Sequence, residues 1–169
     1  MLEKGYRARV VKNNFYWGVA PQLCTPIEDL VIYELHVRGF TKMAKDVLRP
    51  GHFLGVKEKI PYLKALGINA VELMPVFEFD ELMDKRTYNG KELLNYWGYS
   101  TVSFFAPNTS YASEKEFNRE GTELKALVRA LNAHGIEVIL DVVLIIRQRG
   151  WREGHSFPSR GLTTIFIIC

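Results

Sequence analysis

Leu131-Asn132-Ala133-His134-Gly135-Ile136-Glu137-Val138-Ile139-Leu140-Asp141 decides the fold of this chain, because it restates Leu63-Lys64-Ala65-Leu66-Gly67-Ile68-Asn69-Ala70-Val71-Glu72-Leu73. Both stretches run from the end of an apolar-striped helix through a glycine and an isoleucine into a β-prone apolar run. Val56, Ile60 and Leu63 fall at i, i+4 and i+7, and Leu124, Leu127, Val128 and Leu131 form a second stripe. Gly67 and Gly135 then stand where helices end in a left-handed residue. Each glycine hands over to a strand, predicted over 68–76 and 136–143.

Upstream, Leu30-Val31-Ile32-Tyr33-Glu34-Leu35-His36-Val37 reads as a further strand, nearly continuous in apolar character. Such runs suit a parallel sheet covered on both faces. Arg49-Pro50-Gly51-His52 marks a loop, and residues 77–111 read as a long connection rich in aromatics. Residues 1–29 are an approach segment, with Arg7-Ala8-Arg9-Val10-Val11 as a short strand and Ala20-Pro21 and Thr25-Pro26 as loop punctuation. Strands separated by amphipathic helices imply right-handed βαβ units. Three strands with two crossovers open either a doubly wound sheet or a (β/α)8 barrel. No Gly-x-Gly-x-x-Gly or Gly-x-x-x-x-Gly-Lys follows a strand, which weighs against nucleotide-binding versions. In a barrel the chemistry lies at the C-terminal strand ends, here Glu34–Arg38, Pro75–Phe79 and Asp141 onward.

The chain's 169 residues, 47% apolar and 24% charged, suit one globular domain with a sizeable core. No apolar run is long enough to span a membrane and Met1-Leu2-Glu3-Lys4 does not open a signal peptide, so the expectation is a cytoplasmic protein with no membrane partner. Cys24 and Cys169 lie far apart without metal-ligand spacing and are expected as free thiols. The net charge of +3 sits in residues 144–169, where four arginines face Glu153 alone, while residues 1–143 balance. Without a basic stripe interleaved with aromatics, no nucleic-acid partner is expected.

Four ordered segments are more specific than periodicity. They are Val31-Ile32-Tyr33-Glu34-Leu35-His36-Val37-Arg38-Gly39-Phe40, Gly67 through Phe79, Asn95-Tyr96-Trp97-Gly98-Tyr99-Ser100 with Phe104-Phe105-Ala106-Pro107, and Ile136 through Val143. Together, from about Arg7 to Val143, they resemble the isoamylase and glycogen-debranching branch of the α-amylase superfamily. The resemblance implies a (β/α)8 TIM barrel that cleaves α-1,6 branch linkages of glycogen or starch by the retaining route. Its implied partner is a branched α-glucan, without cofactor or metal. That chemistry takes two carboxyl groups about 5 Å apart, a nucleophile and an acid/base. In the family both sit on later barrel strands, as does a third, stabilising carboxylate. The expected fold is therefore α/β, an incomplete barrel of the first three strands over residues 30–143, with no catalytic residue.

Two residues are expected to touch substrate. The resemblance places Tyr99, from Trp-Gly-Tyr, against the sugar ring at the cleavage site, where a flat aromatic face suits carbohydrate C–H groups; its alternative is a core tyrosine. Asp141 would lie beside the catalytic centre; its alternative is a strand-end carboxylate bonded to backbone. Trp97 is expected in packing; His36 and Arg38 are expected to end the first strand, where they could face a pocket, with a hydrogen-bonded structural role favoured for the histidine. Glu78, Asp80, Glu81 and Asp84 lack calcium-loop spacing and read as a solvated loop face.

The pattern breaks after Val143. The family's third-strand motif continues with an aromatic, Asn and His, where this chain has Leu144, Ile145 and Ile146. An isoleucine cannot donate to a sugar hydroxyl as an imidazole can. Read one base earlier, the codons permitted by Leu144 to Gly150 allow Phe-Asn-His-Thr-Ala-Glu-Gly, the family's own continuation; Trp151 then forbids the Asn usual at its position. Residues 144–169 are thus expected to be an out-of-frame tail. Its end, Thr164-Ile165-Phe166-Ile167-Ile168-Cys169, is uncharged, β-prone and an aggregation hazard.

Overall fold

A computed structural model describes residues 10–19, 23–82, 85–144 and 162–168. In chain order the elements are β1 (Ile32–Leu35), α1 (Val37–Thr41), α2 (Phe53–Glu58), α3 (Ile60–Ala65), β2 (Ala70–Leu73), β3 (Phe77–Phe79), β4 (Arg86–Tyr88), β5 (Lys91–Leu93), β6 (Thr101–Pro107), α4 (Arg119–Ala133), β7 (Glu137–Leu144) and β8 (Leu162–Ile168). Single 3-10 turns cover Ile27–Asp29 and Thr109–Tyr111.

The repeated motif builds the sheet. β1 and β2 run parallel with Ile32 opposite Ala70 and Leu35 opposite Leu73. β2 and β7 run parallel with Ala70 opposite Glu137 and Leu73 opposite Leu140. Gly67 and Gly135 adopt φ of +78° and +70°, the left-handed turn that releases each helix into its strand. Leu35, Val71, Leu73, Val138 and Leu140 join Phe53, Val56, Leu63, Leu127 and Leu131 in one buried cluster. Helices from both crossovers therefore cover the same sheet face. Strands advancing in sequence order with helices on one side form a barrel wall; a doubly wound sheet would place helices on both faces.

Several sequence expectations are corrected. The first strand is shorter than 30–37, because His36 caps α1. The stripe of Val56, Ile60 and Leu63 is buried as expected but lies on two helices that break at Lys59. Pro61, at the start of α3, has no N–H to bond the preceding turn, and its ring excludes the Lys57 carbonyl. The 77–111 connection contains four strands: β3 pairs antiparallel with β6, and β4 with β5. The β4–β5 turn is Asn89-Gly90, both at positive φ (47° and 73°), as a tight type I′ hairpin requires. Val10 and Val11 lie outside any strand. The sheet also holds a fourth strand where three were expected: β8 runs antiparallel along β7, from Leu144 opposite Leu162 to Val138 opposite Ile168. The tail's β-prone end thus occupies the edge at which a barrel would add a parallel strand. Ile145, Ile146, Trp151, Cys169, Asp84 and Arg7–Arg9 lie outside the described residues.

The approach segment is tied to both layers. Arg129 donates to the Tyr16 carbonyl at 2.7 Å with its guanidinium 5.0 Å from the Phe15 ring, and Lys125 donates to Asn13 at 2.7 Å. On the sheet side the Thr25 amide donates to Glu137 at 2.7 Å and the Asn69 side-chain amide donates to the Asp29 carbonyl at 2.8 Å. Cys24 is an exposed free thiol.

Gly55 supplies a test of the packing. By propensity alone, Gly55→Ala should strengthen α2 by about 1 kcal/mol. A Cβ there would stand 2.2 Å from the Arg49 carbonyl oxygen and 3.0 Å from Thr41 Oγ1, which accepts the Gly51 amide. The first obstacle is backbone and cannot swing away, so overpacking prevails. We expect Gly55→Ala to lower stability by about 2 kcal/mol in urea unfolding; a gain would show that the 49–55 loop yields.

Candidate functional site

The segment Asn95–Ser100 folds on itself before it reaches the sheet. The Asn95 side chain accepts the Gly98 amide at 3.2 Å and donates to Ser100 Oγ at 3.0 Å, and Ser100 Oγ donates to the Asp80 carbonyl at 3.2 Å. Gly98 turns the chain at φ +85°, where a side chain would press on Pro75 and Phe79 at 3.1–3.2 Å. That explains the residue types of the motif: an amide to tie both ends, a glycine to turn against the core, and then Tyr99.

Tyr99 donates its hydroxyl to Asp141 Oδ2 at 2.5 Å, a contact spanning 42 residues. It meets Asp141 one residue past Leu140, which pairs with Leu73 at the C-terminal end of β2, the end at which barrels place chemistry. Asp141 is buried, while Tyr99 stays 36% exposed, so the tyrosine is not a core residue. Both residues singled out for substrate contact are thus brought together, and the carboxylate bonds the neighbouring side chain.

Two carboxylates overlooked in the sequence share this face. Glu34 and Glu72 are directly opposite each other on β1 and β2, and Glu72 lies opposite Ile139. By strand alternation all three face the same way as Asp141, which stands two residues, about 6.6 Å, further along. Burial raises the Glu72 carboxyl above its ordinary value, with Glu34 and Asp141 adding repulsion. Burial also holds the Tyr99 phenol well above its ordinary value, followed by its bond to Asp141 and the charges of Asp141, Glu34 and Glu72. Tyr99 is therefore a protonated donor at neutral pH. The sequence signal was there, a glutamate in the equivalent position of the first two strands, but only the register shows that they are neighbours.

Behind the turn stands His36, buried, with its ring stacked on Tyr96 at 4.0 Å and 11°. It does not close a strand, as the sequence suggested; Nδ1 accepts the Gly39 amide at 3.0 Å and caps α1. Arg38, on α1, lies 5.8 Å from the Tyr111 ring. Trp97 packs edge-on against Tyr96 at 5.4 Å, yet is 57% exposed, more than its expected packing role implies. Glu78, Asp80 and Glu81 line an open groove of about 660 Å³ together with Glu114, Glu116 and Glu120, away from Tyr99. Glu78 accepts the Thr109 amide and Asp80 the Leu82 amide, so local backbone occupies both. Among the described residues no cluster of histidine, cysteine or carboxylate side chains is arranged to hold a metal ion.

The profile of the α-amylase family, catalytic domain, matches residues 24–145. The chain belongs to the α-amylase family. The chain is 45% identical over 158 residues to isoamylase 1, chloroplastic, of Arabidopsis thaliana, a match that covers 89% of this chain and 20% of that protein. It is 41% identical over 159 residues to a glycogen operon protein GlgX homolog of Mycobacterium tuberculosis, covering 90% of this chain and 22% of the relative. Among solved structures it resembles pullulanase from Bacillus acidopullulyticus, with 35% identity and a TM-score of 0.55 over 68% of this chain and 15% of that one. The chain thus spans about a fifth of the length of its isoamylase and GlgX relatives. For an α-amylase family member, the pairing of Tyr99 with Asp141 lies on the sheet face that a closed barrel would line.

Proposed function

We propose that this chain is the substrate-facing opening portion of a debranching glycoside hydrolase, able to contact a branched α-glucan and unable to hydrolyse it. The observation that carries the reading is the Tyr99 hydroxyl held on Asp141 at the strand C-termini, with the tyrosine still open to solvent. A fixed phenol ring offers a flat face to a sugar, and its neighbouring carboxylate accepts hydroxyl protons. The relatives' names, isoamylase and glycogen operon protein, supply the glucan class. By the resemblance to isoamylases, the acid/base and the nucleophile belong to barrel strands later than the third, which β7 represents. Residues 144–169 are read as an out-of-frame tail, a reading that rests on the codons they permit. Resequencing the coding DNA tests it, and an intact upstream frame ending in these residues would sink it.

Glycogen pull-down tests the binding reading. Retention of the chain should fall about threefold to tenfold in Tyr99→Ala, the effect of losing one aromatic platform worth about 0.5–1.5 kcal/mol. Unchanged retention would remove Tyr99 from the site.

A further inference from the structure

We propose that His36, in its neutral form, is the positioning residue that holds the Tyr99 turn, so that a proton taken up by this one imidazole releases the turn and weakens glucan contact. The inference rests on the reading of Tyr99 as a glucan contact. It starts from the polarity of the hydrogen bonds around the ring. Nδ1 faces the Gly39 amide at 3.0 Å and must accept, because a backbone N–H can only donate. The ring's proton is therefore assigned to Nε2, which donates to the Tyr96 carbonyl at 2.8 Å, with the Tyr111 hydroxyl 3.2 Å away. One neutral tautomer thus ties the start of α1 to the residue three places before Tyr99. The stacked Tyr96 ring is seated by Gly39, where a Cβ would stand 2.1 Å from the Tyr96 hydroxyl.

An imidazolium cannot keep this arrangement. A second ring proton on Nδ1 would point at the Gly39 N–H, donor against donor, at the positive end of α1. The groups facing His36 offer no compensation: Arg38 on α1 is a like charge, and Tyr96 and Tyr111 are neutral phenols. Glu81, from the loop after β3, acts on Tyr111 instead. Burial lowers the His36 pKa below its ordinary value, the Tyr96 carbonyl opposes this, and Arg38 lowers it further. A native value below the unfolded one makes this contribution complete above about pH 6.5 and lost as pH falls through the lowered native value.

The test uses the full chain with two readouts. Two-dimensional NMR follows the His36 Cε1–H, the Gly39 amide and the Trp97 indole against pH, and glycogen retention is measured at about pH 7.5 and about pH 5. We expect the three signals to titrate with one midpoint below the ordinary histidine value, and retention to fall about fivefold or more at the lower pH. His36→Asn keeps a side-chain acceptor for the Gly39 amide but does not titrate, so its signals and retention should be flat. A transition that persists in His36→Asn overturns the inference, as does retention that stays constant while the wild-type signals move. If His36→Asn does not fold, the wild-type midpoints decide: separate midpoints for the Cε1–H and the Trp97 indole overturn it. Signals that titrate together in a chain retained by glycogen at neither pH would instead refute the Tyr99 reading and leave the imidazole's hold on the turn intact.

Discussion

Incubated with glycogen, the purified chain should release no linear glucan above the uncatalysed background. Retaining hydrolysis needs two carboxyl groups about 5 Å apart flanking the scissile bond, one to attack and one to donate a proton. At the C-terminal end of the parallel strands, Asp141 is the carboxylate in place, and it already accepts the Tyr99 hydroxyl. Glu34 and Glu72 come nearest to a pair, but the register sets them about 6.6 Å below Asp141. Glycosidases must accelerate their reaction by at least about a million-fold, so losing the acid/base pair leaves nothing measurable in a reducing-end assay. Reducing ends that rise with protein concentration and vanish in Asp141→Asn would overturn this and make Asp141 a nucleophile.

The parallel sheet was legible because its determinants are local and stated twice. A helix stripe, a left-handed glycine and a β-branched run each act within a few residues, and Gly67 and Gly135 turn as their positions require. The elements missed depend on something else. β4 and β5 are exposed along their whole length, so no apolar alternation marks them, although Asn89-Gly90 does state the turn. α1 is five residues long, contains Gly39, Val37 and Thr41, and has little helix propensity. It forms because His36 caps it and Tyr96, distant in sequence, stacks on the cap. β8 belongs to no family pattern; a β-prone segment has paired with the open edge of β7, as unpaired strand edges invite.

The site divides in the same way. Tyr99 and Asp141 were visible through motifs, each an ordered string whose residue types serve one local turn or one strand end. Their hydrogen bond was not, since a contact across 42 residues exists only once the turn is seated on Pro75 and Phe79. The glutamates below them were hidden for a related reason. Glu34 and Glu72 read as ordinary charged residues until pairing makes them lateral neighbours, and only then does Glu34 help to raise the Glu72 carboxyl and do both act on Tyr99.

Phe53→Ala should be the most damaging single substitution in the described core, costing about 3–5 kcal/mol. Phe53 is fully buried in α2 and meets the Tyr111 ring edge-on at 5.7 Å and 84°. Such a pair adds about 0.5–1.5 kcal/mol to the burial itself. Domains of ordinary stability hold about 5–15 kcal/mol, so this one change removes a large share. Urea unfolding followed by near-ultraviolet circular dichroism measures it, with Phe53→Leu as the control at about 1 kcal/mol. A loss below about 1 kcal/mol in Phe53→Ala would mean that α2 does not pack as described. The position of the ring adds a second consequence. Phe53 supports Tyr111, Tyr111 stands against His36, and His36 holds the turn that carries Tyr99. Leu131→Ala, in α4, removes a comparable amount of core from the same cluster, about 2–5 kcal/mol, without touching that line of rings. Under conditions where both variants remain folded, Phe53→Ala should lose glycogen retention and Leu131→Ala should keep it. Equal retention in the two would show that the aromatic line stabilises the fold without positioning Tyr99.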